Sequence, residues 1–165
     1  MRPDFNEIIS CTTRPMREGE KHGVNYYYYT DKEFFEKVNN NQMLEYTNFN
    51  NWYYGTSYDT LDTNKINIGV FNPAGIISLK NRNDIDLKVV RILTPDKERL
   101  IRQLNREDNP NVDEIIRRYQ TDKKDFSCLN FIYTTIFNTG EEPIEMIGEI
   151  TLRALGLTPR LGEID

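Results

Sequence analysis

The sequence predicts an α/β protein with a mostly parallel sheet. Three observations carry that prediction. Short β-branched runs at residues 8–9, 66–71 and 87–93 alternate with segments of helical periodicity. The helical segments open on hydroxyl caps or prolines where helices begin. A tyrosine-rich block, residues 26–58, breaks the alternation with hairpin signals and reads as a small β-rich subdomain inserted into the larger frame. At 165 residues the chain is long enough for one domain with a sizeable core, and residues 1–165 are read as one domain.

The elements follow in order. Ile8-Ile9, flanked by Glu7 and Ser10, predicts a short buried strand. Residues 14–25 are a loop punctuated by Pro15, Gly19 and Gly23. The run Tyr26-Tyr27-Tyr28-Tyr29 is strongly β-prone. Thr30-Asp31-Lys32-Glu33 is a capping box for a short helix that turns Phe34, Phe35 and Val38 inward and ends at Asn39-Asn40-Asn41. Residues 43–48 and 52–54 predict two strands of a hairpin turning at Asn50-Asn51.

Residues 66–71 predict a strand and 73–79 a helix entered through Pro73. Residues 87–93 are the clearest buried strand. Thr94-Pro95-Asp96-Lys97-Glu98 then offers a cap, a first-turn proline and an acidic start. In that helix Leu100, Ile101 and Leu104 are expected inside, with Arg99, Arg102 and Arg106 outside. A polar connector, 105–112, leads to a helix over 113–125. Strand signals recur at 131–133 and 136–137. A closing helix, 141–155, places Ile144, Ile147, Ile150 and Ala154 at helical spacing, stops at Gly156 and leaves a loose tail.

Composition narrows the function. A net charge of -5 argues against a general nucleic-acid binder, which needs a basic face for phosphates. No apolar run reaches the length of a membrane span, and a soluble, cytoplasmic protein is expected. The two cysteines, Cys11 and Cys128, have neither metal spacing nor a disulfide framework. With one histidine, His22, a zinc site built on several histidines is excluded, and no metal-ligating set is expected. Positive charge gathers at Arg14/Arg17/Lys21, Arg99/Arg102/Arg106 and Arg117/Arg118.

The segment Ser10-Cys11-Thr12-Thr13-Arg14-Pro15-Met16-Arg17-Glu18-Gly19-Glu20 puts hydroxyls and arginines at a strand exit, where open α/β sheets bind ligands. Together with Gly23, Tyr26, Glu45 and Tyr54-Gly55-Thr56, it resembles the signature of the guanylate kinases. The resemblance covers nearly the whole chain. It implies a P-loop-kinase-like parallel sheet flanked by helices, with residues 26–58 as a GMP-binding subdomain and 99–124 as a helical lid.

What the resemblance implies for the site agrees with the chemistry of guanine. A carboxylate accepts from the N1–H and N2 amino group together, and hydroxyls serve O6. Glu45 takes the first role, and Ser10 and Thr56 the second. Adenine presents a bare N1 acceptor there, a mismatch worth roughly 10⁴-fold in comparable sites. Arg14 and Arg17, with the hydroxyls of Tyr26 and Tyr54, would hold the phosphate. Gly55 would let the chain turn close to the ligand. Arg102, Arg106 and Arg118 resemble the lid arginines that neutralise the transferring phosphoryl group, with Arg117 competing for the third place. Asn138 resembles a residue on the ATP-base side.

The resemblance further implies ATP with Mg²⁺ as the phosphoryl donor. Yet no G-x-x-x-x-G-K-[ST] occurs in the sequence, and no glycine is followed by lysine. The first strand and P-loop of the fold are expected to be missing, through a truncated gene, an alternative internal start or a segment carried by another polypeptide, and phosphoryl transfer needs that P-loop supplied. An oligomer or a partner chain would cover the incomplete sheet. Val70 and Asn72 also stand where the family carries acids. The competing expectation is a catalytically inactive guanylate kinase-like binding module.

Overall fold

The structure, a computed structural model, describes residues 3–49, 51–106, 108–127, 129 and 133–157. Asn50, Cys128, Phe131, Ile132 and the tail 158–165, for which the sequence also carries expectations, lie outside the described residues. The chain divides into two compact units, Met1–Ile85 and Asp86–Asp165, each with the α/β character the sequence predicts.

The first unit is built on a four-stranded sheet, ordered β3-β2-β5-β4. Its strands are β2 (Cys11–Thr12), β3 (Tyr27–Tyr28), β4 (Met43–Phe49) and β5 (Trp52–Ser57). β4 and β5 form the expected antiparallel hairpin, with Glu45 opposite Thr56 and Thr47 opposite Tyr54. Asn51 adopts φ 64 beside the turn, a conformation asparagine tolerates better than most residues. β2 runs antiparallel to β5 and parallel to β3. Two threonines staple β2 to β5. Thr12 Oγ1 donates to the Tyr53 carbonyl at 3.0 Å, and Thr13 Oγ1 accepts the Tyr53 amide at 3.0 Å.

Helix α1 (Asp31–Asn39) covers one face of this sheet. Its capping box is complete: Thr30 Oγ1 accepts from the Glu33 amide at 3.3 Å, and Glu33 Oε2 accepts from the Thr30 amide at 2.8 Å. Phe34 is fully buried, its ring against Tyr46 and Tyr53 at centroid distances of 6.2 and 5.8 Å. Phe35 and Val38 are half-buried. Lys37 Nζ reaches Asp59 at 3.0 Å and lies over the Tyr29 ring, tying the helix to the sheet's far end.

A parallel pair stands beside it: β1 (Phe5–Glu7) and β6 (Ile66–Ile68). The strand expected at Ile8-Ile9 therefore begins and ends earlier. β6 is only three residues long, so its partner runs out at Glu7, and Ile8 keeps one ladder bond, amide to Ile68 carbonyl, at 2.8 Å. For the same reason the strand expected over 66–71 stops at Ile68, and Val70 is 94% exposed. Helix α2 (Pro73–Lys80) follows, capped by Asn72 Oδ1 accepting from the Gly75 amide at 2.8 Å, with Pro73 in its first turn.

The second unit pairs β7 (Val90–Leu93) in parallel with β8 (Thr134–Phe137). The expected buried strand is shorter and more open than its sequence suggests, with Ile92 54% exposed. Two strands cover too little area to enclose both faces. Helix α3 (Asp96–Leu104) packs on α4 (Val112–Ser127). Pro95 itself is the N-cap of α3, with no side-chain cap bond, so Thr94 does not cap it.

The acidic start of α3 is as expected, but its inner face is not. Ile101 and Leu104 are exposed, while Arg99 is half-buried between Asp96 (3.5 Å) and Asp122 (3.6 Å), over the Tyr119 ring. A charged head with an aliphatic stem can fill such a seam when acids and a ring face it. In α5 (Ile144–Ala154) Ile147 is buried, but Ile144, Ile150 and Ala154 are exposed. Gly156, at φ 70, ends it as expected. Its amide bonds the Arg153 carbonyl and the Leu157 amide that of Leu152, the paired closure of a Schellman motif. Among the described residues no helix is long and apolar enough to cross a membrane.

Candidate functional site

Strand alternation decides which side chains meet. Glu45, Thr47 and Phe49 on β4 share a face with Tyr54 and Thr56 on β5, and the register continues to Thr12 and Tyr28. This is the face opposite α1. Arg14 and Tyr26, each two residues beyond Thr12 and Tyr28, complete it. The Tyr26 ring meets those of Tyr28 and Tyr54 at 5.9 and 6.1 Å. The Arg14 guanidinium lies 5.6 Å from the Tyr26 centroid and 5.7 Å from that of Tyr28.

Glu45 is only 7% exposed, unusual for a carboxylate that no arginine or lysine pairs among the described residues. Burial holds its pKa above the ordinary range, and the nearby hydroxyl and amide of Thr56 offset this only in part. Thr56 is fully buried, and its Oγ1 completes no hydrogen bond among the described residues. The hydroxyl sits close enough to Glu45 to bear on its charge, but a buried group that completes no bond of good geometry is costly without a ligand. The N-terminus of α2 closes this corner. A Cβ on Gly75 would sit 3.1 Å from Glu45 Oε2, so the glycine makes room for the carboxylate. Asn72 Nδ2 donates to Thr47 Oγ1 at 3.0 Å, fixing α2 to β4. A cavity of about 350 Å³ touches Glu45 from the side of Met43, Ser78 and Arg82.

At the other end of the face, Arg14 is 8% exposed. It donates through Nη1 to the Pro15 carbonyl at 2.7 Å and through Nη2 to Glu20 Oε1 at 2.9 Å. This pairing lowers the Glu20 pKa to about 2. Arg17 is exposed, and its side chain meets no partner among the described residues. Ser10 is half-buried, its carbonyl accepting the Tyr27 amide at 2.9 Å.

Gly55 differs from its expected part. It lies within β5 rather than at a turn, and a Cβ there would come 2.6 Å from the Glu45 carbonyl oxygen and 2.9 Å from Tyr46 Cβ. Its bareness serves the packing of β5 on β4.

In the second unit the structure brings Arg102 and Asn138 together. Arg102 Nε donates to Glu98 at 2.8 Å, and Nη2 reaches Asn138 Oδ1 at 3.4 Å, just past the C-terminal end of β8. Gly140, at φ 93, closes that corner, where a Cβ would meet Arg102 Nη2 at 2.8 Å. Arg118 and Arg117 both bind Glu114, at 2.7 and 2.6 Å, which lowers the Glu114 pKa to about 2. Arg106 is exposed just beyond α3. No bond joins Arg102, Arg106 and Arg118 to one another among the described residues.

A family model described as Guanylate kinase matches residues 2–150. The chain belongs to the guanylate kinase family. The guanylate kinase of Mycoplasmoides gallisepticum is 32% identical over 154 residues, which are 90% of this chain and 78% of that protein. The guanylate kinase of Rickettsia typhi is 33% identical over 147 residues, 86% and 74% of the two chains. A crystal structure of guanylate kinase from Anaplasma phagocytophilum superposes with a TM-score of 0.72 over 96% of this chain and 78% of that one. At 20% identity, that likeness is one of fold.

For a guanylate kinase family member, three features escape a reading of the sequence. Asn72, where an acid is expected, serves as a helix cap and a strap to β4. Thr12 and Thr13, which follow Ser10 in the same run of hydroxyl residues, spend theirs on β5. Glu20 holds Arg14 across a loop, a spacing for which no local periodicity gives a signal.

Proposed function

We propose that the chain binds GMP on the sheet face opposite α1 and that the phosphoryl group of ATP is transferred to it, giving GDP and ADP. The observation that carries this reading is the buried pair Glu45 and Thr56. A carboxylate that is 7% exposed and a fully buried hydroxyl, which completes no hydrogen bond among the described residues, lie opposite each other on adjacent strands. Guanine supplies what they lack: N1–H and N2–H for the carboxylate, and O6 for hydroxyls from Thr56 and Ser10. Adenine offers an acceptor to an acceptor.

Further along the same face, Arg14, Arg17, Tyr26 and Tyr54 take the phosphate, with Gly55 holding β5 close to β4. Arginine forks match phosphate oxygens, and the tyrosine hydroxyls add directional bonds. Arg102, Arg106 and Arg118, or Arg117 in place of the last, neutralise the transferring phosphoryl group as the lid over 99–124. Transfer of this kind asks mainly for positioning and charge. Asn138 faces the ATP base, and Mg²⁺ arrives on the ATP phosphates as part of that substrate. The transfer step also needs a G-x-x-x-x-G-K-[ST] cradle. That motif does not occur in these 165 residues, so the transfer step is proposed for this chain together with such a cradle. The reading carries with it a cytoplasmic location, where GMP and ATP are both at hand. The relatives carry the names of enzymes, which supports the kinase reading over an inactive binding module.

Titration calorimetry with GMP and AMP tests the reading. GMP is expected to bind at least about 100-fold more tightly. Equal affinities would overturn it.

A further inference from the structure

We propose that Glu20 is the positioning residue of the phosphate grip, holding Arg14 and Arg17 in place without touching the phosphate itself. The inference rests on the phosphate role given above to those arginines. One carboxylate collects three groups. Its Oε1 accepts from Arg14 Nη2 at 2.9 Å, and its Oε2 accepts from the Arg17 amide and from the Tyr28 hydroxyl, both at 2.8 Å. Gly19, at φ 79, turns the chain back so that Glu20 can reach them, and the Glu20 amide closes the turn on the Arg17 carbonyl at 3.1 Å.

The consequence differs for the two arginines. Arg14 is pinned on several sides: Glu20 and the Pro15 carbonyl take two of its N–H groups, and the rings of Tyr26 and Tyr28 stand against its guanidinium. Its remaining donors therefore point in a fixed direction. Arg17 is held only at its backbone amide, and its side chain stays exposed for an incoming anion.

A carboxylate beside a phosphate site repels the ligand, so its presence needs a reason. Phosphate brings more negative charge than the carboxylate and several oxygens, and it binds a guanidinium already aimed at it without first ordering a long side chain. Glu20's named side-chain bonds all stay within residues 14–28, so its purchase is on the grip rather than on the sheet core.

The test is calorimetric titration of the full chain with GMP and with guanosine, which lacks the phosphate, for wild type, E20Q and E20D. Wild type is expected to bind GMP far better than guanosine. E20Q keeps the shape but loses the charge, so GMP weakens about tenfold, the loss of one charge-assisted bond. Guanosine moves less than about twofold. E20D, which retains the charge on a shorter arm, falls between. An E20Q protein that keeps the wild-type advantage of GMP over guanosine overturns the inference. So does one that loses both ligands together, because Glu20 would then be a folding residue. If wild type itself shows no such advantage, the phosphate grip proposed above fails, and Glu20 with it.

Discussion

Replacing Glu45 by glutamine isolates the basis of base selectivity. The side chain is buried at 7% exposure, so solvent cannot repair what the change removes. The amide keeps one acceptor oxygen and turns its NH₂ toward a guanine N–H, donor facing donor. Losing a charge-assisted bond costs about 1.5–3 kcal/mol, and a donor left unpaired in a buried site about 1–3 kcal/mol. Together these give about 2.5–6 kcal/mol, or GMP binding weakened by roughly 10²–10⁴-fold. AMP gains a donor opposite its N1 and should hold steady or bind better, so the GMP/AMP ratio collapses.

The pH dependence adds a second constraint. Burial raises the Glu45 pKa in the folded protein, so the charged form is penalised there. Its contribution to stability is full below the unfolded pKa and is lost as pH rises through the folded one. E45Q removes that loss and should be at least as stable as wild type at pH 7. Guanine pairing, by contrast, needs the carboxylate. The wild-type GMP/AMP ratio should therefore fall as pH drops through the raised Glu45 pKa, while that of E45Q stays flat. The ratio cancels the phosphate titration common to both ligands. Calorimetry and a thermal melt of each protein, taken from neutral pH down past the ordinary carboxylate range, read all of this. An E45Q protein that retains its GMP preference, or a wild-type ratio flat with pH, would refute the reasoning.

Two further substitutions separate the phosphate from the base and the fold from both. Arg17→Ala should weaken GMP and AMP alike by about tenfold, leaving their ratio and the melting temperature unchanged, because its side chain is exposed and meets no partner among the described residues. Calorimetry and a thermal melt check both halves. Gly55→Ala should destabilise the protein by about 1–3 kcal/mol, since the added methyl strikes the β4 backbone at 2.6 Å; a denaturant melt measures it.

Much of this was legible in the sequence because local rules govern it. The capping box at Thr30 and Glu33, the hairpin of β4 and β5, the proline entry to α2 and the stop at Gly156 each depend on residues a few positions apart. The grouping of Arg14, Tyr26, Glu45, Tyr54 and Thr56 came from resemblance, and strand alternation now supplies its physical reason. What remained hidden depends on partners distant in sequence. Ile101 and Leu104 have the periodicity of an inner face, yet Arg99 takes the seam because Asp122 and Tyr119 wait on α4. Likewise Ile8-Ile9 has strand composition, but a three-residue partner limits the ladder. Asn72 carries nothing in its identity that announces Thr47.

The one-sided arrangement on β4 and β5 also sets which length changes the protein can survive. Deleting a single residue within β5 would turn Tyr54 and Thr56 toward α1 and bring Tyr53 to the opposite side, exchanging an aromatic packing surface for a polar one at every position beyond the cut. Removing or adding two residues would restore the alternation and shift only the pairing. The turn joining the two strands has no such parity to keep. Natural variation in chain length should therefore collect there, and an inserted tag or probe at that turn should leave the opposing faces as they are.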